Sequence, residues 1–183
     1  MQNRNFDGMF RTALNRSVPW AADGLEGDYA VVDCARDSRI HPAVVGSRVE
    51  SVCLYDGRLG RGLAAVAPYL VRLEQGSRFS NTFYEHGWND AWGLVIRTRV
   101  GLAALRRHFR TLAYVRREAG PKLLFRYYDV RVLRTFLPTC SEQQLKQVFG
   151  PVDAFVLDGI GGVSPQIASR TEEGRLSVQE ILH

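Results

Sequence analysis

Between Tyr29 and Leu157 the chain breaks into short apolar runs separated by polar residues, glycines and prolines. Tyr29–Ala35 is apolar enough to predict a buried strand. Ser51–Tyr55 predicts a second strand, stopped by the turn pair Asp56-Gly57, and Pro68–Leu73 and Ala91–Arg97 predict two more. His41-Pro42 leads into a short helix expected over Ala43–Val49, and Ser80–Trp88 predicts another. The clearest helix runs from about Val100 to Glu118. Leu102, Leu105, Phe109, Leu112 and Ala113 share one of its faces, and Arg106, Arg107, Arg110 and Arg117 share the other. Thr98 is placed to cap this helix, and Gly120-Pro121 stops it.

The stretch from Leu123 to Leu133 changes period partway. Leu124, Arg126 and Tyr128 alternate with Leu123, Phe125 and Tyr127, as on a pleated strand. Asp129 then stands where a helix N-cap belongs, and Val130, Leu133, Phe136 and Leu137 continue at helical spacing. A strand running straight into a helix is therefore expected, with an Arg and an Asp set among large aromatics. Taking a charge out of water costs on the order of several kcal/mol unless it is paired. Arg126 and Asp129 thus need partners: each other, in an ion pair that fixes the corner, or groups on another protein.

Ser141 caps a short helix to Phe149, Gly150-Pro151 ends it, and Val152–Leu157 predicts a last strand. Residues 1–28 form an N-terminal segment, with a short helix at Met9–Arg16 followed by a turn-rich stretch. Residues 158–183 show little apolar periodicity and are set apart as a C-terminal tail. Strands alternating with helices over 29–157 predict an α/β or α+β layered domain, or two small joined lobes. Some connections are too short for helical crossovers, so the sheet is expected to be mixed, with flanking helices.

Composition narrows the function. The apolar fraction of 45% suits a domain with a real core. No apolar run is long enough to span a bilayer, and Met1–Asp7 holds no apolar signal core, so a cytoplasmic location without membrane contact is expected. Cys34, Cys53 and Cys140 are odd in number and widely spaced, against a disulfide framework or a zinc site. The net charge of +5 is uneven: residues 97–134 hold ten Arg and one Lys against Glu118 and Asp129 alone. Such a basic centre suits nucleic acid, an anionic surface or an acidic protein partner. The spacings of common nucleic-acid modules are missing, and Arg is enriched at protein interfaces, so nucleic acid is not expected.

Catalytic patterns are missing too. His41, His86, His108 and His183 lack metal-ligand spacing, and nucleophile-elbow and phosphate-loop patterns do not occur. Gly57–Gly62 has the wrong glycine spacing for a dinucleotide cradle and reads as a surface loop. No cofactor or metal is expected, and the chain reads as a binding module rather than an enzyme. His108, beside the apolar helix face, reads as a half-buried, hydrogen-bonded structural residue. The candidate partner-binding residues are Trp20, in its Pro/Gly-rich stretch, Arg106, Arg107, Arg110 and Arg117 on the helix, and Arg126 and Asp129 at the corner. A solvated face competes for the helix arginines, and an internal ion pair for Arg126 and Asp129. Phe125, Tyr127 and Tyr128 are the apolar frame of the corner.

Several of these segments, in this order, resemble one family. Tyr29-Ala30-Val31-Val32-Asp33-Cys34-Ala35-Arg36 is similar to its opening strand. Leu54-Tyr55-Asp56-Gly57 is similar to its second strand and turn, and Ala67–Leu73 to its Pro-Tyr-Leu segment. Trp92–Ile96 and Leu105–Arg110 are similar to a strand and the start of its long helix. The Leu123–Leu133 corner and Phe149-Gly150-Pro151 complete a resemblance covering about Tyr29 to Phe155. The family is the effector-adaptor (chaperone) domain of bacterial type VI secretion systems, formerly a domain of unknown function. One departure is Val130, where the family often has Pro, a residue favoured but not required at the first helical position. The resemblance implies a non-catalytic adaptor that holds a cognate secreted effector and helps load it onto the valine-glycine repeat spike. A small enzyme with a dispersed site using Cys34 or a histidine, and a nucleic-acid-binding accessory protein using the arginine face, are the alternatives.

Overall fold

Seven strands form one sheet in the order β2-β3-β1-β4-β7-β8-β9. They are β1 (Gly27–Asp33), β2 (Ser51–Cys53), β3 (Pro68–Arg72), β4 (Gly93–Thr98), β7 (Val152–Leu157), β8 (Gln166–Arg170) and β9 (Leu176–Glu180). A separate two-stranded ribbon pairs β5 (Tyr114–Val115) with β6 (Leu123–Leu124). The structure is a computed structural model that describes residues 27–55, 57, 60–88, 90–115 and 123–181. Every pairing in the sheet is antiparallel, so the domain is α+β. No described helix is long and apolar enough to cross a membrane.

Alternation along the central strands sends side chains to two cores, on opposite faces of the one sheet. Tyr29 and Val31 of β1, Leu94 and Ile96 of β4, and Phe155 of β7 face one side. There α4 (Leu102–Leu112) brings Leu105 and Phe109, α5 (Val130–Phe136) brings Val130 and Leu133, and α6 (Glu142–Phe149) brings Leu145 and Phe149. Ala30, Val32, Val95 and Val156 face the other side. They meet Ile40 and Val44 of α1 (Ile40–Gly46), Phe79 of α3 (Arg78–Thr82), and Phe83, Trp88 and Trp92. A single turn, α2 (Arg61–Ala64), links β2 to β3, and a π-helical turn over Phe83–Gly87 follows α3. Gly93 lies where β4 crosses β1 so closely that a Cβ would come within 2.0 Å of the Val31 carbonyl oxygen.

Most predicted elements fall within a few residues of their expected place, and four departures are informative. The long helix stops at Leu112 rather than near Glu118, because the chain turns at Ala113 into β5. Its N-cap is Gly101, while Thr98 Oγ1 accepts from the Val100 amide at 3.2 Å. The strand expected over Leu123–Tyr128 keeps its ladder only at Leu123–Leu124; the Phe125 amide then donates to the Ala113 carbonyl at 3.0 Å, and the chain turns. Finally, the sheet continues beyond Leu157. Residues 158–183 contain β8 and β9, which pair in register with β7 and with each other. The helix start at Asp129 and the Ser141 cap are as expected, the latter as a full capping box with Gln144.

Candidate partner interface

Three aspartates meet at one end of the sheet. Asp33 closes β1, Asp158 follows β7, and Asp129 caps α5, accepting from the Arg131 amide at 3.1 Å. All three are buried, and a buried carboxylate needs partners. Arg126 Nη2 donates to Asp33 Oδ2 at 2.5 Å, and the Ala35 amide donates to Asp33 Oδ1 at 3.1 Å. Arg131 grips Asp129 with two donors, Nε to Oδ1 at 2.9 Å and Nη2 to Oδ2 at 2.7 Å. Asp158 Oδ2 accepts from the Ala91 amide at 3.3 Å, and Arg134 donates to the Asp158 backbone carbonyl. Nearby, Arg36 bonds the Asp90 carbonyl at 3.1 Å, and Arg39 lies 5.2 Å from the Trp92 ring centroid.

Two of the arginines that hold this cluster, Arg126 and Arg131, reach water. The Arg126 side chain is 46% exposed while Asp33 is 6% exposed; for Arg131 and Asp129 the values are 53% and 8%. The aspartates therefore act as anchors that fix guanidinium groups at the surface. Unused N–H groups on those guanidiniums can meet a carbonyl or carboxylate of another molecule. Arg126 also lies 5.7 Å from the Tyr128 ring centroid, which restricts it further. Burial pushes the Asp129 carboxyl up, but the Arg131 hydrogen bonds and the Arg131 and Arg126 charges outweigh it and hold it below its ordinary value. Burial, then the hydrogen bond with Tyr55, pushes the Tyr128 phenol up. Asp129 is thus ionised and Tyr128 neutral at neutral pH.

Arg126 and Asp129 do not pair with each other: Asp33 takes the first and Arg131 the second. That corrects the expected corner ion pair. Phe125 packs on Phe136 with ring centroids 4.7 Å apart, and Tyr127 stacks on Phe109 at 5.2 Å. The arginine face of α4 is not uniform. Arg107 is exposed and Arg106 half-buried, whereas Arg110 Nη2 donates to the Tyr55 carbonyl at 2.7 Å and ties α4 to the end of β2. Trp20 and Arg117 lie outside the described residues, as does part of the glycine-rich stretch 57–62. His108 is structural: its Nε2–H donates to the Val148 carbonyl at 3.0 Å. Its ring fills the space over Gly150, where a Cβ would come within 2.3 Å and φ is +49°. Burial holds its pKa below the ordinary histidine value, against the raising effect of the Val148 bond.

Two features carried a signal that local reading passes over. Asp33 and Asp158 each end an apolar strand run, where a carboxylate at the edge of a core implies a specific partner. Asp28 and Arg97 lie in paired strands and form a buried salt bridge, Nε to Oδ1 at 3.0 Å, with both charges inside otherwise apolar runs. Cys34 is buried, and burial, then the Asp33 charge, pushes its thiol up to about 12, so it is not poised as a nucleophile. Among the described residues no group of His, Cys, Asp and Glu is arranged to hold a metal. No curated protein and no solved structure matches the chain. A family model does match, over residues 29–147, which takes in the sheet from β1 through β4 and reaches into α6. From that coverage, the chain belongs to the family described as a domain of unknown function (DUF4123).

Proposed function

We propose that this chain is a cytoplasmic adaptor that holds a cognate secreted effector of a bacterial type VI secretion system and assists its loading onto the valine-glycine repeat spike. The ordered series of segments resembling that family carries the reading. The series runs through β1, the β2 turn, β3, β4, α4, the Leu123–Leu133 corner and the end of α6. The charged corner supplies a chemistry that suits the role. Its exposed guanidiniums are anchored by buried aspartates, so little side-chain entropy is lost when they engage a partner. The enzyme alternative built on Cys34 is weakened by the burial and raised pKa of that thiol. Co-expression with the toxin encoded beside the gene should give one-to-one co-elution on size exclusion. Separate elution at micromolar concentration overturns the reading.

A further inference from the structure

The two edges of the seven-stranded sheet are finished differently. At one edge β2 is three residues long, and the Tyr55 carbonyl just beyond it is capped by Arg110. At the other edge β9 runs for five residues, and among the described residues no strand pairs with its outer side. The register tells which backbone groups of β9 face out. The Ile181 amide donates to the Pro165 carbonyl and the Thr171 amide to the Arg175 carbonyl, both at 2.8 Å. Hydrogen-bonded pairs alternate along an antiparallel ladder. Ser177 and Gln179 therefore point their amides and carbonyls at β8, and Leu176, Val178 and Glu180 point theirs away. Natural edges are guarded by Pro, Lys, bulges or covering elements. The segment Leu176–Glu180 contains no Pro and no Lys, its register is unbroken, and Val178 at its centre is 46% exposed.

We propose that β9 is a docking strand that takes an extended segment of a partner polypeptide as an eighth strand of the sheet. A row of outward amides and carbonyls at strand spacing is complemented by another main chain in extended form. Side-chain chemistry sets the preference: an apolar residue opposite Val178 and a basic one opposite Glu180. A second copy fits less well. Two-fold pairing about Val178 would bring the valines together but set each Leu176 against a Glu180. Resting on the adaptor reading, the segment belongs to the effector.

Two measurements separate the edge from its occupant. The first uses a short synthetic peptide of alternating Val and Thr with one Lys, and the same peptide N-methylated at alternate amides. Hydrogen exchange at Val178 and Glu180 should be fast in the free protein and slow with the plain peptide, and the N-methylated peptide should give no protection. Ser177 and Gln179 should be slow throughout. Protection elsewhere, or none, overturns the proposal. So does protection in the free protein, which would mean a second copy if it rises with concentration and the chain's own residues if it does not. The second uses the co-eluting effector. Val178→Pro removes an outward amide while leaving the inner ladder whole, and should weaken binding at least about tenfold; Val178→Thr should not. Val178→Lys serves if the proline variant melts early. If the folded variants bind the effector like the parent, the effector docks elsewhere and the proposal falls while the adaptor reading stands. If the parent itself fails to co-elute, the adaptor reading falls and the peptide measurement alone decides the edge.

Discussion

Two salt bridges in this domain look alike on paper and should behave differently when broken. Arg97 and Asp28 are both sealed in the sheet, their side chains 3% and 10% exposed, and they share two hydrogen bonds of 3.0 and 3.3 Å. Removing Arg97 strands a carboxylate in the core at the start of β1, a loss of about 3–5 kcal/mol. Arg126 reaches water, so in Arg126→Ala solvent can enter the space the guanidinium leaves. Asp33 also keeps its bond from the Ala35 amide. The loss there is that of one hydrogen bond to a charged group, about 1.5–3 kcal/mol.

In a domain of this size each kcal/mol shifts the melting temperature by about 2–4 °C. Arg97→Ala should therefore melt well below Arg126→Ala, and urea midpoints at matched slopes rank the two without extrapolation. The mechanism has its own check. If the cost in Arg126→Ala is a stranded charge, adding Asp33→Asn should recover part of it. An Arg126→Ala variant as unstable as Arg97→Ala, or one that Asp33→Asn rescues, refutes the solvent-access argument. A variant that melts like the parent yet loses the effector makes Arg126 a contact residue first.

Gly93→Ala should cost about 3 kcal/mol or more, because its Cβ meets the Val31 carbonyl and neither backbone can move without parting β1 from β4; chemical denaturation measures it. His108 has a folded pKa below its ordinary value, so its contribution to stability is complete above about pH 6.5 and is lost as pH falls through that value toward the folded pKa. Replacing it with Gln, which still offers a donor to Val148, should flatten the loss of stability between pH 7 and pH 5; an unchanged slope removes His108 as its source. Arg107→Glu should leave stability, followed by urea denaturation, within about 0.5 kcal/mol of the parent, since this side chain is exposed. Arg110→Glu should lower stability by about 1 kcal/mol through the lost Tyr55 bond, and equal midpoints would contradict that division of the arginine face.

What the sequence made legible is what short-range physics decides. The Asp129 and Ser141 caps act over two or three residues, so side chain and spacing suffice to place them. The central strands are apolar enough to be found without knowing their neighbours. The helix end near Leu112 is different: nothing in its wheel marks the stop, because the chain leaves the helix to pair Tyr114–Val115 with Leu123–Leu124. Alternation over Leu123–Tyr128 likewise suggests a strand, yet Tyr127 and Tyr128 are both buried, which a strand with one solvated face does not allow. β8 and β9 are half polar and owe their form to β7, so local propensity gives little warning of them.

The charged corner shows the same limit in electrostatic terms. Their place among aromatics announced that Arg126 and Asp129 needed partners, but not which ones. The nearest opposite charge in sequence was the natural choice, and the fold instead delivers Asp33 from a strand 93 residues away. Once Arg126 is anchored on β1 and Arg131 on the α5 cap, each half-exposed guanidinium is held by an element of the rigid sheet and helix layer rather than by a loop. Such a pair can recognise a partner only in one relative orientation. A substitution at Asp33 or Asp129 should therefore loosen partner selectivity before it abolishes binding, a difference that competition between cognate and non-cognate effectors would expose.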